Sequence, residues 1–105
     1  MSDLELLGYE LDEVVLPATE TLDPRTVVRI VIHGRNLRDG AVPLVAQVGD
    51  ERVELLRLDE ATQTLEGILL REPERGSRVR VSYLDMDGAE HPDGYDPERV
   101  RRIAR

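Results

Sequence analysis

Cysteine, lysine, phenylalanine and tryptophan are all absent from the 105 residues, and three tyrosines are the only aromatic side chains. Without cysteine there is no thiol nucleophile, no disulfide frame and no thiolate zinc site. Tyr9, Tyr83 and Tyr95 are too few for the stacking platforms that bind single-stranded nucleic acid or sugars. No apolar run approaches the roughly 18 residues of a membrane span. Residues 1–13 carry Asp3, Glu5, Glu10, Asp12 and Glu13 where a secretion signal has basic residues. A soluble cytoplasmic protein is therefore expected, with later export as part of a particle or machine left open. Positive charge comes from 14 arginines alone, set against 22 acids for a net charge of −8. Such a balance argues against nucleic acid or an anionic membrane as the main partner, since both require neutralising cations.

What is present is a series of short apolar runs, separated about every ten residues by Gly, Pro, Asn and Asp. That pattern predicts an all-β sandwich. Thr26 to His33 alternates, with Val28, Ile30 and Ile32 on one face and Val27, Arg29, Val31 and His33 on the other. Leu44, Ala46 and Val48 share a face, and Val79, Val81 and Tyr83 do the same within Arg78 to Asp85. Leu65 to Leu70 reads as a central strand or one buried on both sides. Between Arg52 and Leu58 the parity breaks, because Val53 and Leu55 fall on one face and Leu56 and Leu58 on the other. A bulge or a change of sheet is expected there. Asp87-Gly88 signals a hairpin whose return strand, about Ala89 to Tyr95, is made irregular by Pro92.

The ends differ from the middle. Residues 1–24 form an acidic strand or linker segment, residues 25–95 the sandwich, with a first strand from about Val14, and residues 96–105 an Arg-rich helix. In that helix Asp96 caps, Pro97 takes the first position, and Val100 and Ile103 share a face. The first 24 residues hold seven acids and no arginine, whereas the last ten hold four arginines and two acids.

Ile32-His33-Gly34-Arg35-Asn36-Leu37 resembles the I-x-G-x-N-[FL] segment of the Ig-like, plexin and transcription factor (IPT/TIG) domain family. Val45-Ala46-Gln47-Val48-Gly49 and Gly76-Ser77-Arg78-Val79-Arg80-Val81 resemble that family's V-G strand end and its late G-x-V-x-V strand. The resemblance spans about Val14 to Tyr95. The chain departs from it at Asp23-Pro24-Arg25-Thr26, where the family commonly has glycines, and at Asp50. It implies an immunoglobulin-like sandwich of about seven strands, in a family of interaction and spacer modules.

No catalytic residue and no cofactor is expected. Asp85, Asp87 and Asp93 are the only candidate metal ligands, weighed against a plain reading as turn residues, since Ala89 and Glu90 spoil a calcium loop. His33 and His91 have no partner at metal-ligand spacing. The expected function is a non-enzymatic structural or adaptor subunit that makes protein–protein contacts, as a homo-oligomer or in a hetero-assembly. Its two oppositely charged ends are expected to meet neighbouring copies. The contact residues so predicted are Leu4, Leu6, Leu11, Val27, Val31, Arg99, Val100, Arg102 and Ile103. The alternatives are a ligand-recognition module, reading a sugar, peptide or calcium ion through loops near Arg35 to Val42 or Asp85 to Asp96, and an accessory domain of a separate enzyme.

Overall fold

The computed structural model describes residues 4–38, 40, 42–84 and 88–102. Asp85, Asp87 and Ile103, and with them the turn at Asp87-Gly88, lie outside or at the border of these residues. The described chain is all-β, with nine strands in two sheets. They are β1 (Glu5–Leu16), β2 (Arg25–Arg35), β3 (Leu44–Val48), β4 (Glu51–Arg52), β5 (Glu54–Asp59), β6 (Thr64–Leu69), β7 (Val79–Tyr83), β8 (Ala89–Glu90) and β9 (Val100–Arg102). The first sheet has the order β5-β6-β2-β1-β9 and the second β4-β3-β7-β8. All pairings are antiparallel except that of β9 with β1.

Alternation decides which side chains go inside. From β2, Val28, Ile30 and Ile32 enter the core, as expected. They meet Leu6, Tyr9 and Leu11 of β1 and Leu65 and Leu69 of β6, and across the gap Ala46 and Val48 of β3 and Val79 and Val81 of β7. Fully burying a side chain of this size stabilises by about 1.5–3 kcal/mol, so an aliphatic core holds the two sheets together without phenylalanine or tryptophan. Leu65 and Leu69 are buried while Glu66 and Ile68 are half-buried, so β6 is an internal strand with one buried face. The end of β2 turns at Asn36, whose φ of 60° is left-handed, and drops Leu37 into the core. The Gln63 side chain braces that turn by accepting from Leu37 N at 2.8 Å and donating to Leu37 O at 3.0 Å.

Both devices expected near Leu55-Leu56 are present. The chain leaves the second sheet at β4 and joins the first at β5, with Val53 N donating to Ala46 O at 2.9 Å on the way. Against β6 the register runs Glu54↔Ile68 and then Arg57↔Glu66, so Leu55 and Leu56 together oppose Gly67. Leu55 has a φ of 54°, the left-handed first position of a bulge that glycine usually occupies. The bulge lets Val53, Leu56 and Leu58 all turn toward the core while Leu55 points out.

Two expectations are corrected. Residues 96–102, the described part of the expected 96–105 helix, do not form one. Asp96 caps as foreseen, accepting from Glu98 N at 3.0 Å, but only a 3₁₀ turn, Pro97–Arg99, follows. An isolated helix of ten residues is too short to propagate, and β9 instead gains a strand partner, with Leu11↔Val100, Asp12↔Arg101 and Glu13↔Arg102 in register. The return strand after the hairpin is also shorter than expected, ending at Glu90 before Pro92, which has no N–H to offer a ladder. At the other end, β1 begins at Glu5 and pairs with β2 to Leu16, so the acidic segment is a strand of the main sheet.

A methyl group at Gly67 would strike the Val53 side chain and stand 2.8 Å from Glu54 O. Gly67→Ala is expected to destabilise the protein by about 1–3 kcal/mol, read as a fall in chemical-denaturation midpoint without a change in slope.

Candidate functional site

The residues predicted to contact partners are placed very differently from one another. Leu4, Leu6 and Leu11 are core residues and cannot serve a partner. The register shift between Leu6 and Gly8 brings both Leu6 and Leu11 to the inner face of β1, and the strand that β1 pairs with is β2 of the same chain. Val27 was expected to face out and is only 2% exposed. It does lie on the outer face of β2, but there it sits against Val14 of β1. Val31 on the same face is half-buried, between Glu10 and Glu66. Val100 packs on the core from β9.

The charged ends meet within one chain. Arg102 Nε stands 3.1 Å from Glu13 Oε2, and Arg101 Nε 3.8 Å from Asp12 Oδ1. Arg99 donates from Nη2 to Tyr9 O at 3.0 Å and lies over the Tyr9 ring, 4.3 Å from its centre. Tyr9 is a junction: its hydroxyl donates to Gly94 O at 2.5 Å, and His91 meets its ring edge-on at 5.2 Å. His91 is buried, and its Nδ1 accepts from Asp93 N at 3.1 Å, which fixes the backbone between β8 and the 3₁₀ turn. Burial raises the Tyr9 pKa above its ordinary value against the lowering effect of Arg99. Tyr95, next in this segment, is 1% exposed, and its buried hydroxyl makes no hydrogen bond within the described residues. Burial pushes that hydroxyl up to about 12, with Glu72 adding to the effect.

The opposite side of the first sheet is open. β5 is its edge strand and, at six residues, the longest edge strand among the described residues; β9 has three, β4 and β8 two each. Leu55 is 77% exposed there, more than any other large apolar side chain described. It borders a shallow depression with Ile68, Arg29, Arg57, Glu66 and Gly67. Arg29 binds Glu66 at 3.2 Å, whereas Arg57 reaches Glu66 only at 4.0 Å, the limit of an ion pair. Asp59 closes the following turn, accepting from Ala61 N at 3.0 Å and Thr62 N at 3.3 Å. The broken parity of Arg52 to Leu58 was the sequence signal for this place. It announced the bulge but not that the displaced leucine would stand in solvent.

Other candidates have local partners. Asp93 engages His91 through its backbone, and among the described residues no three His, Asp or Glu side chains gather as metal ligands would. His33 stands 3.2 Å from Glu10. Arg78 and Arg80 both turn to Glu90 on the neighbouring β8, the latter at 3.7 Å. Comparison of the chain with protein-family models, curated proteins and solved structures returns no match.

Tyr95 sets a pH dependence. Its folded pKa of about 12 lies above the ordinary 10.0, so the folded state holds the proton more tightly than the unfolded one. That stability is complete below pH 10 and is lost as pH rises from 10 to 12. Denaturation at a series of pH values is expected to show a loss on the order of 1–3 kcal/mol over this window. Tyr95→Phe removes an unpaired hydroxyl, so it should reduce that loss and cost little at pH 7.

Proposed function

We propose that this chain is a non-enzymatic structural or adaptor module, an immunoglobulin-like sandwich that works by protein–protein contact through the β5 edge. The strand order supports the fold assignment. Naming β1, β2, β3, β4, β5, β6, β7 and β8 as A, B, C, C′, D, E, F and G gives sheets A-B-E-D and C′-C-F-G, the immunoglobulin arrangement. Kinship with the IPT/TIG family is part of the same proposal and rests on the Ile32-to-Leu37 segment, where Asn36 turns the chain and Leu37 fills the core.

Leu55 carries the functional reading. A left-handed backbone at a residue other than glycine costs on the order of 1–3 kcal/mol, and Leu55 pays it while leaving its apolar side chain in water. Glycine would satisfy the same bulge without strain, so the fold itself gains nothing from leucine at this position. A contact surface does gain: an apolar knob beside an open ladder of backbone donors and acceptors is what strand addition uses. The charged ends, which the sequence offered as the contact, are engaged with each other, and the exposed edge lies across the sheet from them.

Leu55→Gly is expected to leave stability unchanged or raise it by up to about 1 kcal/mol, strain relief being partly offset by the looser unfolded chain. A leucine that served the fold would instead cost about 2–5 kcal/mol on truncation. The same variant should lose the proteins that the parent chain retains from an extract of its native cells. A lowered melting temperature with unchanged retention would refute the reading.

A further inference from the structure

We infer that the β5 edge takes a second copy of this chain, the two β5 strands pairing antiparallel about a two-fold axis at Leu58. The inference rests on the contact reading of β5 above and names the partner. Its basis is charge placement. The register against β6 sets Arg57 opposite Glu66, Leu58 opposite Leu65 and Asp59 opposite Thr64. Arg57 and Asp59 therefore share the outer face of the sheet, and Leu58 between them faces the core side. In an antiparallel pair centred on Leu58, residues directly opposite share a face, so each Arg57 lies across from the other copy's Asp59. One strand edge thus supplies both members of two ion pairs. A strand of unrelated sequence would need its own acid and base at the same spacing.

The local bonds leave room for this. Arg57 holds Glu66 only at 4.0 Å, and Asp59 uses Oδ1 for the turn amides. Residues 57–59 lie beyond the bulge, where the register with β6 is regular. Leu55, three residues from the axis, is carried toward the turn that follows β5 in the other copy, where Ala61 is exposed. Pairing along the regular residues Arg57 to Asp59 makes a small interface, so affinity on the order of 10–1,000 μM is expected rather than a permanent dimer.

Sedimentation at fixed ionic strength, from about 10 μM to about 1 mM, is expected to show a monomer passing to a dimer over the range that affinity sets. Arg57→Asp gives a strand with two acids and Asp59→Arg one with two arginines. Each variant alone should stay monomeric, and an equimolar mixture should recover the dimer, because every opposed pair is again acid against arginine. Thermal melts show whether Asp59→Arg, which loses its turn bonds, still folds. Hydrogen exchange on the parent chain needs no variant: amides within Arg57–Asp59 should exchange more slowly as concentration rises, while those of β9 do not change. A parent chain monomeric throughout, single variants that dimerise like the parent, or β5 exchange independent of concentration would overturn the inference. The two readings fail separately. If the chain is monomeric but Leu55→Gly still loses its retained proteins without losing stability, self-pairing falls and the contact reading stands. If Leu55→Gly destabilises the fold while the parent chain dimerises and the charge swaps behave as stated, the Leu55 argument falls and self-pairing stands.

Discussion

The passage of the chain from one sheet to the other at Val53 is the constraint on which the exposed side of the molecule depends. β4 is hydrogen-bonded to β3, β5 is hydrogen-bonded to β6, and a single residue separates them. Val53 must point into the core from the crossing, and so must Leu56 and Leu58 from the strand that follows. Strict alternation cannot deliver Val53, Leu56 and Leu58 to one side, since the first two are an odd number of positions apart, with Glu54 and Leu55 between them. One extra residue has to be absorbed, and Leu55 is that residue. The small partner at Gly67 follows from the same crossing, because the Val53 side chain and Glu54 O occupy the space that a methyl group would need. The conformation of Leu55 and the absent side chain at Gly67 are thus two consequences of one geometrical problem. The identity of the side chain at Leu55 is not among those consequences.

Charge plays a different part from the one its distribution along the chain suggested. Seven acids at one end and four arginines at the other looked like complementary surfaces of separate molecules. In the fold, β9 lies beside β1 in register, and the pairs Asp12–Arg101 and Glu13–Arg102 are bonds within the chain. Exposed pairs of this kind contribute about 0–1 kcal/mol each, so they select a position for β9 more than they hold it. What anchors this segment is Tyr9, which bonds Gly94 through its hydroxyl and receives Arg99 on its ring, with Tyr95 buried next to it in the core. The sequence pattern identified the right two groups of charges and misassigned the distance between them, because sequence separation says nothing about whether the ends of a sandwich are adjacent.

Legibility followed the strength of the local period. β2, β3 and β7 were readable because apolar residues recur at every second position and most of that face is buried. The bulge was readable for the opposite reason, as a visible fault in that alternation. The N-terminal leucines were legible as apolar but not as core. Gly8 interrupts their pattern, and the pairing register shifts between Leu6 and Gly8, so that Leu6, Tyr9 and Leu11 face inward although their spacing is uneven. The C-terminal segment misled because Asp96-Pro97 is a sound helix start whichever structure follows. A cap and one favourable residue cannot outweigh a parallel strand partner and three interactions of arginine with β1. The candidate site was half legible: its position was announced, but exposure at a sheet edge depends on which strand lies outermost, and that order is a property of the whole fold.

An edge bulge normally protects a sheet from unwanted pairing, because it twists the edge and interrupts the ladder. In β5 the interruption sits at Leu55-Leu56, and the strand continues regularly from Arg57 to Asp59. Protection therefore covers one half of the edge and not the other. The unprotected half carries one positive and one negative side chain on the same face, so a neighbouring strand is neither excluded by uniform charge nor welcomed whatever its sequence. Registers centred on Arg57 or Asp59 set like charges against each other, whereas the two-fold register centred on Leu58 matches arginine with aspartate along the regular half of the strand. With a net charge of −8 on each copy, general repulsion keeps molecules apart until this local match compensates. We read the edge as a surface that discriminates among strands: the bulge limits how much ladder is on offer, the charges restrict which strand fits, and Leu55 gives the apolar contact that a short ladder by itself would lack.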